Sequence, residues 1–329
     1  MLSDRLLAFV AEQYGFDRET PRFMAAGREA SREFYSFAKY GSFYVCRFIK
    51  SGVDGIGQIR AEMDWLSYLS GKGVRVMRPL RADNGELVVL AEENGETYSI
   101  SACDMVEGKP WDKNNPELWN EKVFFQWGKV MGDMHRETKN FAPADGAEIR
   151  REYTHMIGDS VRAFPSINKA AEKLACEIAA LPRDRDAYGL IHYDLGPNNF
   201  LIDGALITAI DFDDCAYAWH ALDIGVALYL GLWFGRRNDS GQDFTNDMIE
   251  YFLKGYLSAN RLDDFWLSKI PMFMRLCQIA KFSFAYDSED PDDDHQKERM
   301  RNIENNMLFT GCVVDDSIFS NPRSTKQEE

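Results

Sequence analysis

The six cysteines, Cys46, Cys103, Cys176, Cys215, Cys277 and Cys312, are scattered with no C-x-x-C pair among them. That argues against both a structural zinc site and a disulfide framework, and reduced thiols in a cytoplasmic setting are expected. Cations are in deficit, with 38 Lys and Arg against 53 Asp and Glu and a net charge of -15. Nucleic acid and anionic membrane surfaces are held by clustered Lys and Arg, so neither is expected as a partner. Long apolar runs are missing too. The longest, Ile224 to Phe234, is too short to span a bilayer, and the opening stretch Met1 to Val10 carries charges inside its apolar run, unlike a signal peptide. A glycine-rich phosphate loop is also missing, since Ala25-Ala26-Gly27-Arg28-Glu29 holds a single glycine ahead of the first strands. If phosphates bind there, the backbone amides of 25–32 and the charge of Arg28 or Arg32 must do the work.

What is present is a chain of 329 residues, 45% hydrophobic and 28% charged, a composition that supports a globular core and two domains or one bilobal one. The most informative stretch is Leu190 to Asp214. Asp203-Gly204 separates two short apolar runs, Phe200 to Ile202 and Leu206 to Ile210, which predicts a tight hairpin. Asn199 enters its first strand and Asp211 leaves its second, so Asp194, Asn199 and Asp211 are expected to converge at one end. The spacing of His192, Asp194 and Asn199, followed by Asp211, matches a kinase catalytic loop. On that template Asp194 takes the proton of the attacking hydroxyl, and Asn199 and Asp211 offer the hard oxygen ligands that Mg²⁺ prefers. His192 supports the loop. Turns collect Asp and Asn without any such purpose; the hairpin and second acidic cluster at the expected distance favour the catalytic reading.

Upstream, Leu2, Leu6, Phe9, Val10 and Tyr14 recur at helical spacing. Glu33 to Phe37 and Ser42 to Ile49 read as strands around a turn at Lys39-Tyr40-Gly41. Val45 and Arg47 share one strand face, placing Arg47 where a kinase carries its phosphate-contacting lysine, with Lys50 the competing cation. Ile56, Ile59, Met63, Leu66 and Leu69 mark a helix, and Glu62 beside that stripe is a candidate partner for Arg47. Runs on either side of Asn94-Gly95 complete a small sheet, after which a β lobe gives way to a helical one. Cys103 to Val106 is then the hinge, with the backbones of Asp104 and Val106 the candidate adenine contacts.

Asn115-Pro116 reads as a helix start; Gly128 and Gly132, four apart, suggest close helix packing, and His135 reads as a core histidine. Residues 141–165 look irregular. Ile167 to Leu181, Trp219 to Gly231, Phe244 to Leu257 and Phe265 to Tyr286 read as helices, the last interrupted near Pro271. The acidic run 287–294 reads as an exposed loop and the tail from Ser320 as disordered.

With His192-Tyr193-Asp194, Asn199, Ile210-Asp211-Phe212-Asp213-Asp214 and Leu222-Asp223-Ile224 in view, the chain resembles the aminoglycoside phosphotransferase-like family of small-molecule kinases. The resemblance implies an α+β, bilobal protein-kinase-like fold. Its small antiparallel β lobe would span 1–104, and its larger, mainly helical lobe 105–329, with the catalytic loop and acceptor site. It implies ATP or GTP as donor and Mg²⁺. By position, Asp194 corresponds to the catalytic base, Asn199 and Asp211 to the metal ligands, and Asp223 to a residue bracing the catalytic loop. Tyr193 stands where many relatives have glycine.

The function expected is transfer of the γ-phosphoryl group to a small-molecule hydroxyl. Asp213, Asp214 and the 287–294 run suggest a cationic acceptor, an amino-bearing alcohol or sugar. A non-catalytic kinase-fold protein that binds nucleotide or metabolite and regulates a partner is the alternative. The intact Asp194, Asn199 and Asp211 favour the enzyme.

Overall fold

The computed structural model describes residues 2–27, 31–50, 55–143, 149–153, 157–158, 161–162, 164–235 and 242–287. In chain order the elements are α1 (Asp4–Tyr14), β1 (Arg22–Ala26), β2 (Arg32–Lys39), β3 (Ser42–Lys50), α2 (Ile56–Gly71), β4 (Pro79–Leu80), β5 (Val88–Glu93), β6 (Glu96–Asp104) and α3 (Glu121–Thr138). There follow α4 (Pro165–Ala179), β7 (Tyr188–Ile191), β8 (Phe200–Asp203), β9 (Leu206–Ala209), β10 (Ala216–Trp219), α5 (His220–Gly235), α6 (Gln242–Ala259), α7 (Asp264–Leu267) and α8 (Ile270–Asp287). The chain divides into two compact units, the first comprising Met1–Lys109, Asn140–Arg151 and Leu201–Cys215. The second comprises Pro110–Lys139, Glu152–Phe200 and Ala216–Glu329. An antiparallel sheet near the N-terminus and a helical remainder make the fold α+β and protein-kinase-like.

In the first unit the sheet runs β1-β2-β3-β6-β4, with β5 also on β6. Its hairpins are set by local chemistry. Tyr40 and Gly41 have φ of 52° and 81°, and Asn94 and Gly95 of 53° and 80°, the paired left-handed backbone that matches strand twist. The inward faces of β2, β3 and β6 bring Tyr35, Phe37, Phe48 and Ile100 against Leu6, Val10 and Tyr14 of α1. Ser3 caps α1 by accepting from the Leu6 amide. The stripe on α2 is buried at Ile59, Met63, Leu66 and Leu69, with Trp65 added.

The hairpin of β8 and β9 turns one residue later than its sequence suggests: Gly204 and Ala205 form the turn, and of the two only Gly204 has positive φ, 59°. Glycine at the first of two turn positions serves the hairpin as well. Both strands are anchored. Lys109 exchanges two backbone hydrogen bonds with Ile202, each 2.8 Å, and the Ala209 carbonyl accepts from Met77 at 2.9 Å. Gly108, at φ 138°, lies so close to the Ile202 backbone that a side chain there would collide.

In the second unit, Gly128 and Gly132 of α3 meet α6 backbone to backbone, and Gly255 of α6 answers from the other side. A Cβ at Gly128 would overlap the Phe252 carbonyl. α5 is buried almost all round and acts as the core helix.

Three sequence expectations shift. α3 starts at Asn120, whose side chain accepts from the Lys122 and Val123 amides, because Asn115 spends its oxygen on a local turn with Glu117. Ala216–Trp219 is strand, paired antiparallel to β7, so the helix expected from Trp219 begins at His220. The break near Pro271 falls just before it. Proline at the second residue of α8 removes an amide that has no helical partner there.

Gly128→Ala is expected to cost about 3 kcal/mol, the upper range for overpacking. Denaturant unfolding would show it as a lowered midpoint.

Candidate active site

The second unit carries Asp194 and Asn199. β7 ends at Ile191, His192 is fully buried, and a short 3-10 turn over Pro197–Asn199 leads into β8. Asn199 Nδ2 donates to the Asp194 carbonyl at 2.7 Å and to its carboxylate at 3.0 Å. That commits the amide nitrogen and turns its oxygen away from Asp194. The loop hangs from buried anchors: Trp127 Nε1 donates to the Leu195 carbonyl at 3.1 Å, and Gly196 lies against Leu230. Tyr193 has φ 72°, left-handed backbone that a bulky residue adopts only when its surroundings hold it. Its ring meets that of Tyr153 edge-on at 5.6 Å.

The hold on Tyr193 comes from Asp223 on α5. Its carboxylate accepts from the amides of His192 at 3.0 Å and Tyr193 at 2.8 Å. It also accepts from His135 Nε2 at 2.9 Å. His135 Nδ1 in turn lies 2.9 Å from the Tyr256 hydroxyl, and Asn260 Nδ2 donates to that hydroxyl at 2.9 Å. Burial, with the charge of Lys139, pulls the His135 pKa down to about 3, so the ring is neutral. The donors then run one way: Asn260 to Tyr256, Tyr256 to His135 Nδ1, and His135 Nε2–H to Asp223. Burial pushes Asp223 up to about 6, against the pull of His192 and the two amides. His220, stacked on His135 at 4.2 Å, is held well below its usual pKa by burial and by His135 and Lys139.

The first unit carries Arg47, Glu62, Asp104, Val106 and Asp211. Arg47 on β3 turns its guanidinium to α2, where it meets both carboxylate oxygens of Glu62 at 3.0 and 3.1 Å. Both residues are buried, and Arg47 is the cation that pairs with Glu62 on α2. Burial pulls the Arg47 pKa down, but Glu62, with Cys103 and Asp211, raises it above the ordinary value. Asp211 has φ 63° and precedes Phe212, which is fully buried edge-on to Trp65 of α2.

Asp213 departs from expectation. It pairs with Arg47 and, at 2.5 Å, with Arg32, while Asp214 pairs with Arg151 at 3.0 Å. The Asp213 carboxylate is thus taken up by its own chain, whereas Asp214 makes one exposed ion pair. The 288–294 part of the acidic run and Arg28 lie outside the described residues.

At the end of β6 the Asp104 amide donates to the Arg78 carbonyl and the Met105 amide to that of Phe43, at 2.9 and 3.0 Å. The Asp104 carboxylate is taken by Arg78 at 2.6 Å. Any adenine contact of Asp104 must therefore use its backbone carbonyl. The structure thus brings together Asp194 with Asn199 in one unit and Arg47, Glu62 and Asp211 in the other. Sequence reading passed over Tyr256, Asn260 and Arg150. Tyr256 sits within α6 and Asn260 just past its end, and neither carries a mark of its own; Arg150 lies in an irregular stretch.

Residues 24–264 match the model of the phosphotransferase enzyme family. Amicoumacin kinase of Bacillus subtilis (strain 168) is 31% identical over 324 residues, covering 93% of this chain and 94% of that protein. Among solved structures, the amicoumacin kinase hAmiN in complex with AMP-PNP, Ca²⁺ and Ami superposes with a TM-score of 0.84 at 26% identity, covering 96% and 97% of the two chains. The microcompartment-associated aminopropanol kinase superposes with a TM-score of 0.70 at 19% identity, covering 94% and 98%. The chain belongs to the phosphotransferase enzyme family. It is a kinase acting on an alcohol group of a small molecule. No helix among the described residues is long and apolar enough to cross a membrane.

The buried histidines give the fold a pH dependence. Between pH 6.5 and about 3 the unfolded chain takes up a proton that folded His135 refuses, so stability falls as pH falls through this window. His220 acts in the same direction, while Asp223 opposes between about 6 and 3.8, where the folded state holds the extra proton. His135→Gln is expected to flatten the loss of melting temperature between pH 6.5 and 4, measured by calorimetry.

Proposed function

We propose that the protein transfers the γ-phosphoryl group of ATP to a hydroxyl of an amino-bearing small molecule. Asp194 accepts the proton as the hydroxyl oxygen bonds to the γ-phosphorus; the bond to the bridging oxygen breaks and ADP leaves with its electron pair. The observation that carries this reading is the donation of the Asn199 amide to the Asp194 carboxylate, which holds the base and aims the amide oxygen elsewhere. Asn199 and Asp211 are the proposed ligands of Mg²⁺, since a carboxamide oxygen and a carboxylate are the hard donors it takes. When bound, the ion neutralises charge on the transferring phosphates. Arg47, braced by Glu62, contacts the phosphates, and the Asp104 carbonyl and Val106 amide hold adenine. ATP and a divalent ion are supported by the AMP-PNP and Ca²⁺ bound in the similar amicoumacin kinase.

For the acceptor, the weight rests on relatives whose names specify amicoumacin and aminopropanol, and not on local acidity. Turnover of ATP or GTP with Mg²⁺ should be measured against amicoumacin, amino alcohols and aminoglycosides. ADP release that requires one of these acceptors is the expected outcome; none with any of them would sink the proposed acceptor class. Asp194→Asn is expected to lower kcat roughly 10³-fold with nucleotide affinity kept. Arg47→Ala should raise the nucleotide KM about tenfold, the scale of one lost charge-assisted contact.

A further inference from the structure

The first unit contains a buried arginine that the reaction as described does not use. Arg150 is 4% exposed, and its guanidinium faces backbone carbonyls: Nε donates to Cys215 O at 2.7 Å, Nη1 to Gln58 O at 3.0 Å, and Nη2 to Asp213 O. Buried cations usually meet carboxylates. Here a rigid planar fork joins two carbonyls of the segment after β9 to one in the first turn of α2, a geometry that a lysine cannot reproduce. The flanking residues reinforce the same joint. Gln58 Nε2 donates to Ile149 O at 2.9 Å, the Arg151 amide donates to Gln58 Oε1 at 2.8 Å, and Arg151 pairs with Asp214.

What the joint holds is the backbone that carries Asp211. That residue sits at φ 63°, a left-handed backbone that aspartate adopts more readily than most residues and that its neighbours here hold in place. Phe212 fixes one side through Trp65. Arg150 fixes the other by pinning the carbonyls at 213 and 215. Because α2 also carries Glu62, the partner of Arg47, the same guanidinium ties the Asp211 segment to the helix that orients the phosphate-contacting cation.

We propose that Arg150 is a positioning residue for the phosphoryl-donor site, clamping residues 211–215 to α2 so that Asp211 is presented with Arg47 and Glu62 already in place. This rests on the reading of Asp211 as a metal ligand. It predicts that Arg150→Ala loosens 211–215 before any nucleotide binds, so amide hydrogen exchange in that stretch, measured on the nucleotide-free protein, should speed up at least several-fold. The Mg²⁺ concentration for half-maximal turnover should rise about tenfold, as when a partner behind a metal ligand is lost. Added guanidinium should reverse both effects in part by refilling the space. Unchanged exchange at 211–215 together with an unchanged Mg²⁺ requirement would overturn the proposal, even if the melting temperature fell. Should Arg150→Ala not fold, Gln58→Ala releases Ile149 and Arg151 while leaving Arg150 in place. A smaller change in the same direction is expected from it, and none would equally overturn the clamp. Asp211→Asn, run alongside, separates the two ideas: full turnover in that variant refutes the metal-ligand reading, whereas the exchange data judge the clamp alone.

Discussion

A single buried carboxylate sets the shape of the loop that carries Asp194. Asp223 has no exposed surface, yet it accepts from the amides of His192 and Tyr193 and from the His135 ring. Burying an anion is expensive unless its lone pairs are met, and here two of the donors that meet them are amides of the loop itself. The loop backbone is thereby told where to run. Tyr193 is held in a conformation it would not choose, and Asp194 follows one residue later with its direction fixed. The rest of the second unit serves this arrangement: α5 places Asp223, α3 supplies His135 and Trp127, α6 supplies Tyr256, and Asn260 follows just past the end of α6. The glycine crossing of α3 and α6 lets those two helices come close enough for the exchange.

The first unit handles charge differently. Three arginines converge on Asp213: Arg47 and Arg32 on its carboxylate, and Arg150 on its backbone carbonyl. Glu62 shares Arg47 with Asp213. The result is a compact ionic group in which almost every charge is opposed nearby, so the strong overall negative charge of the chain says little about this region.

The sequence displayed those parts whose chemistry is local. Asn94-Gly95, the helical stripe of α2, the order of strand, Arg47, helix and Glu62, and the spacing from His192 to Asn199 all carry their meaning within a few residues. Gly128 and Gly132 also announced a close crossing, because only small residues permit one. Partnerships across long separations were not legible. Asp213 looked available for a ligand, since nothing near it in sequence shows that Arg47 and Arg32 will claim it. Arg150 bonds to carbonyls, and backbone carbonyls leave no trace in a string of side chains. β10 was hidden for a related reason: Ala216–Trp219 is short, and what makes it a strand is its pairing with the distant β7.

The chain of hydrogen bonds from Asn260 to Asp223 has a direction as well as a shape. Neutral His135 can give a proton at one nitrogen only, so Tyr256 must give to the other, and something must give to Tyr256. Asparagine does, through its amide. Aspartate at 260 would fill the same volume and reach the same hydroxyl, but as an acceptor it would turn the Tyr256 proton towards itself and leave the His135 nitrogen unanswered. Tyr256 on α6 and Asn260 just beyond it thus fix the direction of a proton arrangement that ends under the loop carrying Asp194, a distinction of polarity between two side chains of the same size and shape.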